Sequence, residues 1–141
     1  MARIFIDLPE SFPFSTEIPL YYQHINMGGH LDNAMMLSLV GEARMRLYRS
    51  LGYEPGNIEG LSTFVGDMAA QYLSQAFYGE VMVVEMTACD FTKHGCDMVF
   101  RISDKASGRE VVRGKTGMVF YDKQAKKVAL VPESFKNKFP D

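Results

Sequence analysis

The sequence contains no tryptophan and only two cysteines, Cys89 and Cys96, among its 141 residues. Two cysteines are too few for a disulfide scaffold, and these two lack the close pairing that is typical of zinc sites. The three histidines are also scattered along the chain. We therefore expect free, buried thiols and no bound metal.

Long apolar runs and an excess of charge of one sign are missing as well. No stretch approaches the roughly 20 apolar residues needed to cross a bilayer, and Asp7, Glu10 and two prolines interrupt the N-terminal segment where the core of a signal peptide would lie. The formal net charge is -2, and no stripe of lysine and arginine is present to bind consecutive phosphates. These absences predict a soluble, cytoplasmic protein without a membrane span or a nucleic-acid partner.

What is present is ordinary for a globular protein, with 47% hydrophobic and 23% charged residues. A chain of this length can bury about two thirds of its unfolded surface. Internal repeats, linkers and low-complexity tracts are absent from the sequence. We therefore predict one domain over residues 1–141.

Hydrophobic periodicity predicts one long helix within a set of strands. Apolar residues recur at three- and four-residue spacings over about 33–51, Gly52 stands where a C-terminal cap belongs, and Gly28 and Gly29 predict a sharp turn before the helix. One strand is predicted before the turn and four after the helix, over 16–24, 62–75, 80–92, 96–104 and 110–122. Because the later connections are short, neighbouring strands should be antiparallel. The pattern indicates an α+β fold with a central helix and a five-stranded antiparallel sheet.

Three groups of motifs carry a resemblance to a known family. The first is PLYYQHINMGGHLDNAMMLSLVGEARMRLYRSLGY, with a Gly-His-x-Asp-Asn helix entry at 29–33 and a downstream glutamate and arginine at Glu42 and Arg46 or Arg44. The others are FYGEVMVVEM with GREVVRGKTGMVFYD, and VPESF. In order and spacing, over about 12–134, they resemble the hotdog-fold acyl-CoA thioesterases of the 4-hydroxybenzoyl-CoA thioesterase-like family.

This resemblance implies a hotdog fold, in which a curved sheet wraps the long helix. It implies hydrolysis of acyl-CoA thioesters without a cofactor, because coenzyme A is part of the substrate. It also implies a homodimer or homotetramer with active sites at the subunit interface. The residues that would hold coenzyme A are not assigned by the resemblance.

The chain departs from the family pattern at the turn before the helix. Where the family carries an aspartate four residues before the histidine, this chain has Asn26, and His24 lies two residues earlier. An asparagine can orient a carbonyl group or a water molecule, but it cannot accept a proton as a carboxylate does. The general base must then come from another residue, or the protein is a non-catalytic acyl-thioester binding protein.

Glu42 is the leading candidate for the general base. It lies at the edge of the apolar helix stripe beside Met35 and Leu39, where partial burial would raise the pKa of its carboxyl group towards neutrality. The alternative is a surface ion pair with Arg46, four residues later. The sequence leaves both interpretations open.

The helix entry supplies the remaining candidates. The backbone N-H groups of Gly29, His30 and Leu31 could form an oxyanion hole at the start of the helix, with His30 positioning the thioester or assisting that hole. Asn33, like Asn26, offers a side-chain amide for the same purpose, although turn and cap chemistry explains both. Asp32 is a second carboxylate that helix capping alone would explain.

Overall fold

The computed structural model describes residues 1–140 and contains one long helix, a six-stranded sheet and a short second helix. The strands are, in chain order, β1 (Phe14–Pro19), β2 (Ser62–Tyr72), β3 (Val81–Cys89), β4 (Gly95–Asp104), β5 (Glu110–Asp122) and β6 (Lys127–Val128). The helices are α1 (Met36–Ser50) and α2 (Glu133–Lys136), and a 3-10 turn spans Tyr22–His24. Neither α-helix in the described part of the chain has the length and apolar character that a bilayer span requires.

The sheet has the order β1-β3-β4-β5-β2, and β6 pairs with β5 beside this path. All neighbouring strands are antiparallel. One face of the sheet packs against α1 and forms a core with the helix residues Met36, Leu39, Val40, Ala43 and Leu47 and the strand residues Met82, Val84, Met86, Met98, Phe100 and Ile102. The predicted α+β hotdog fold is therefore confirmed.

Strand β5 shows how the sequence pattern becomes one buried face of the sheet. Val112, Met118 and Phe120 are buried in the core, whereas Arg113 and Lys115 lie on the opposite, partly exposed face. This alternation is the one that the sequence predicts for a sheet covered on one side. The predicted bounds of β5 agree with the structure.

The first strand and the start of the helix differ from the prediction. β1 ends at Pro19, which has no N-H group to continue a ladder, and residues 22–24 form a 3-10 turn instead of extending the strand. α1 begins at Met36, later than the predicted start near residue 33 and six residues after His30. Residues 32–35 form a turn instead, in which the Asp32 side chain accepts hydrogen bonds from the N-H groups of Ala34 and Met35.

Two elements near the C-terminus were not predicted. β6 is only two residues long and α2 four, so neither is long enough to show a period in the sequence. Phe135 nevertheless anchors α2 in the core, with its ring centroid 5.2 Å from that of Phe120. The chain after β5 therefore closes one end of the hydrophobic core.

Candidate functional site

The turn between β1 and α1 is held by His24, whose side chain is buried. Its Nδ1 accepts a hydrogen bond from the Tyr21 N-H group at 2.9 Å, and its carbonyl oxygen accepts one from the Asp32 N-H group at 2.8 Å. Burial lowers the pKa of His24, which favours the neutral ring that can accept the first of these bonds. His24 therefore holds the turn and does not line the cavity described below.

Within this turn, the backbone brings Asn26 and His30 together. The Asn26 N-H group donates to the His30 carbonyl oxygen at 3.0 Å, and the Gly28 N-H group donates to Asn26 Oδ1 at 2.9 Å. A methyl group at Gly28 would lie only 3.2 Å from both Asn26 Oδ1 and His30 Nε2. Gly28 thus permits the close approach of these two side chains.

A cavity of about 210 Å³ opens beside the turn. The turn contributes Asn26, His30 and Asn33 to its lining, and the chain after β2 contributes polar groups from the other side. The lining residues are Asn26, His30, Leu31, Asn33, Tyr72, Ser74, Gln75, Ala76, Val111 and Val112. The fold thus brings the predicted residues Asn26, His30, Leu31 and Asn33 to one cavity.

His30 and Tyr72 are the titratable residues that line this cavity, and none of its lining residues within the described chain is a carboxylate. The His30 ring is half-buried, and its Nδ1 lies 3.3 Å from the Leu31 carbonyl oxygen. If Nδ1 donates a proton to that oxygen, Nε2 keeps its lone pair. In that tautomer, Nε2 is the ring atom of His30 that can accept a hydrogen bond.

Tyr72, Ser74 and Gln75 were missed by the sequence reasoning. The Tyr72 hydroxyl donates to the Asn33 carbonyl oxygen at 2.7 Å, which ties the end of β2 to the start of the helix region. Burial, with a smaller contribution from the Asp32 charge, raises the pKa of Tyr72. The Ser74 hydroxyl donates to the Glu110 carbonyl oxygen at 2.7 Å. No local pattern in the sequence links these residues to His30.

Glu42 lies outside the cavity. The side chain is 53% exposed, and its Oε2 accepts a hydrogen bond from Arg46 Nε at 2.8 Å. Arg46 also donates to Thr16 Oγ1 and to the Glu17 carbonyl oxygen, so the pair lies on the flank of α1 beside β1. The surface ion pair is the arrangement that the structure contains.

Asp32 acts as a cap in the structure. Its Oδ2 accepts hydrogen bonds from the N-H groups of Ala34 and Met35, each at 3.0 Å, and its carbonyl oxygen accepts one from Met36. This geometry satisfies the free amides before α1. The residue does not line the cavity.

The three backbone N-H groups predicted to form an oxyanion hole differ in their hydrogen bonding. The Gly29 N-H group donates to the Asn26 carbonyl oxygen at 3.0 Å, and the Leu31 N-H group donates to the Ala76 carbonyl oxygen at 2.7 Å. Two of the three predicted donors are therefore engaged in holding the turn. The His30 N-H group has no such partner among residues 1–140 and is the donor that stays free.

A second depression, of about 410 Å³, contains none of the predicted site residues. It includes Asp67 and Asp97, whose carboxylates lie near Lys115. The hydrogen bond to Asp97 raises the pKa of Lys115. The ion pairs account for this polar group without a ligand.

Comparison with known protein families gives one match. Residues 21–139 match the model of a family described as the thioesterase-like superfamily. Among curated proteins, none matches the chain.

Solved structures share the fold at low sequence identity. A 1,4-dihydroxy-2-naphthoyl-CoA thioesterase from Synechocystis is 19% identical, with a TM-score of 0.79 over 88% of this chain and 93% of that chain. A hypothetical protein from Aquifex aeolicus is 15% identical, with a TM-score of 0.81 over 91% and 100%. A DHNA-CoA thioesterase from Staphylococcus aureus is 19% identical, with a TM-score of 0.77 over 88% and 84%. At these identities the likeness establishes the fold alone.

Proposed function

The chain belongs to the thioesterase-like superfamily, and on this basis we propose that it hydrolyses acyl-CoA thioesters to the free acid and coenzyme A. The observation that carries the proposal is the meeting of His30, Asn26 and Asn33 at one cavity. These side chains offer one proton acceptor and two amides in a space that a thioester group can enter. The proposed reaction needs no cofactor, because coenzyme A is part of the substrate.

In the proposed mechanism, His30 Nε2 accepts a proton from a water molecule while the oxygen of that water molecule attacks the thioester carbonyl carbon. The carbonyl oxygen gains negative charge and accepts hydrogen bonds from the His30 N-H group and from the side-chain amides of Asn26 and Asn33. When the tetrahedral intermediate collapses, the carbon-sulfur bond breaks. The imidazolium then returns the proton to the departing thiolate of coenzyme A.

Glu42 is the competing candidate for the general base in the proposed reaction. In one copy of the chain it pairs with Arg46 and does not line the cavity, which favours His30. A role for Glu42 would require its carboxylate to leave that ion pair. The two candidates predict different mutant activities.

We further propose that the protein acts as a homodimer or homotetramer, as the family resemblance implies. Strand β2 lies at the edge of the sheet and carries exposed apolar side chains, including Phe64 and Val65. An edge strand of this kind can pair with the same strand of another copy. The cavity beside the end of β2 would then lie close to the subunit interface.

A non-catalytic acyl-thioester binding protein is the second candidate function. It is favoured by one observation, namely that no carboxylate lines the cavity within the described residues. Such a protein would use the same amides to hold the thioester without activating water. Binding without turnover would distinguish it from an enzyme.

The direct test measures thiol release from a panel of acyl-CoAs by the wild type, His30→Ala and Glu42→Gln. We expect turnover by the wild type and a loss of about 100-fold or more in kcat for His30→Ala. We expect Glu42→Gln to retain turnover. Loss of turnover in Glu42→Gln with retention in His30→Ala would reverse the assignment of the base. Tight acyl-CoA binding without thiol release across the panel would favour the binding protein.

A further inference from the structure

Arg44 on α1 carries a charged group without a partner. Its Nε atom is buried and has no hydrogen-bond partner among residues 1–140, and no carboxylate of those residues forms an ion pair with it. A guanidinium stays protonated at any physiological pH, and an unpaired buried donor is destabilising. Arg44 as a whole is only partly buried, and its Nη2 atom borders the free space beside Gly41, so an acceptor from outside the chain can reach the guanidinium there.

Arg44 lies on the flank of α1 that faces the edge strand β2. Leu37, Gly41, Arg44 and Tyr48 share this flank, because they are three or four residues apart. The Tyr48 hydroxyl lies 3.2 Å from Thr63 Oγ1 at the beginning of β2. The Arg44 charge acts on the same hydroxyl, since it opposes the burial that raises the pKa of Tyr48 to about 12.

The surface around Arg44 leaves room for a close neighbour. A methyl group at Gly41 would meet only Arg44 Nη2, at 3.9 Å, so the rest of the described chain does not require a glycine there. Glycine in the middle of a helix is unfavourable compared with alanine. Leu37, on the same flank, is 46% exposed. This flank therefore combines a small residue, an exposed leucine and an unpaired arginine, and such a surface is suited to contact with another chain.

Arg44 does not line the cavity of its own chain. It follows Met36 by eight residues, which is about 12 Å along a helix. Thr63, which contacts Tyr48 on the flank of Arg44, is nine residues from Tyr72 at the cavity, or about 30 Å along a strand. Arg44 and the cavity therefore lie towards opposite ends of β2.

A second copy of the chain removes this separation. β2 pairs with β5 on one side, and no strand within the described chain pairs with its other side. Antiparallel pairing of two β2 strands about a two-fold axis places the beginning of one strand opposite the end of the other. Arg44 of each copy would then approach the Tyr72 end of the other, where the cavity opens.

We infer that Arg44 of one copy binds the substrate in the cavity of a second copy. The inference rests on the proposed thioesterase function and names the partner and the residue that complete its site. Charges at the two ends are complementary, since Asp32, beside Tyr72, forms no ion pair with the described residues. The guanidinium supplies hydrogen-bond donors for the thioester oxygen, for which the N-H groups of Gly29 and Leu31 are not free.

The test is complementation between two inactive variants. Chains carrying His30→Ala and chains carrying Arg44→Met are co-expressed with different affinity tags, and the mixed dimers are isolated through both tags. We expect each variant to lose most thiol release as a homodimer. The mixed dimers should recover about half of the wild-type turnover, because one of their two sites contains both native residues.

If Arg44 served its own chain, every site in the mixed dimer would lack one residue and turnover would not return. Full activity of the Arg44→Met homodimer would also overturn the inference. Sedimentation shows whether the variants assemble, and Arg44→Lys replaces Arg44→Met if the latter does not. Absence of turnover in the wild type would overturn the proposed function itself, whereas an active wild type with silent mixed dimers would overturn this inference alone.

Discussion

At the scale of single residues, Gly28 and Gly52 are glycines for different physical reasons. Gly28 has no unusual backbone angle, but a side chain there would crowd Asn26 Oδ1 and His30 Nε2. Gly52, at the end of α1, has φ of 92° and open space around it. A side chain at position 28 would therefore disturb the site, whereas position 52 needs a backbone conformation that residues other than glycine rarely adopt.

We predict that Gly28→Ala lowers kcat/KM by about 10- to 100-fold, because the new methyl group displaces the His30 ring by a fraction of an ångström or more. The measurement is thiol release at several acyl-CoA concentrations, with thermal unfolding of the same sample. Gly52→Ala is the matched control. It should lose about 1–2 kcal/mol of stability through its left-handed backbone and keep its activity. Equal activity of the two variants would contradict the role assigned to Gly28.

At the scale of elements, α2 is a short helix that depends on one side chain. Phe135 is 1% exposed and is its only buried residue. Its ring centroid lies between 5.1 and 6.2 Å from those of Tyr48, Phe91, Phe120 and Phe139. A helix of four residues has little intrinsic stability, so this packing keeps α2 in place.

We predict that Phe135→Ala destabilises the protein by about 3–5 kcal/mol, the usual range for truncating a buried aromatic side chain. Denaturant unfolding followed by circular dichroism measures the change. Lys136→Ala, on the exposed side of the same helix, should change the free energy of unfolding by no more than about 0.5 kcal/mol. Similar losses for both variants would mean that α2 contributes through its backbone and not through Phe135.

At the scale of the whole molecule, β2 is the element through which copies of the chain would meet. Val65 is 45% exposed and pairs in register with the buried Met118, so it lies on the α1 side of the edge strand. A charge introduced at such a position opposes pairing between two edge strands. The monomer fold does not need the apolar side chain there.

We therefore predict that Val65→Lys shifts the protein to monomers in sedimentation velocity and abolishes thiol release, while its circular dichroism spectrum stays native. Leu130→Lys serves as the control, since Leu130 is 57% exposed but lies after β6, away from β2. It should assemble and turn over substrate like the wild type. A Val65→Lys monomer with full activity would show that one copy contains a complete site.

The sequence by itself determined the features that depend on neighbours along the chain. The buried face of α1 and the alternation in β5 follow from residue spacing alone, because helix and strand geometry repeat locally. The turn with Gly28, Gly29 and His30 was also predicted, because its residues are neighbours along the chain. These features predict an α+β fold with a central helix, and the family resemblance of the same segments implies the hotdog fold and the helix entry as the candidate site.

Only the tertiary structure decided which groups share the cavity and which do not. Tyr72, at the end of β2, and Gln75, just after it, line the same cavity as His30, and no local spacing in the sequence encodes that long-range meeting. The same packing turned Glu42 towards β1 and Arg46, and left Arg44 on the flank towards β2 without an acceptor. The physical reason is that burial and ion pairing depend on what lies across the fold, whereas the sequence pattern records only which side of its own element a residue occupies.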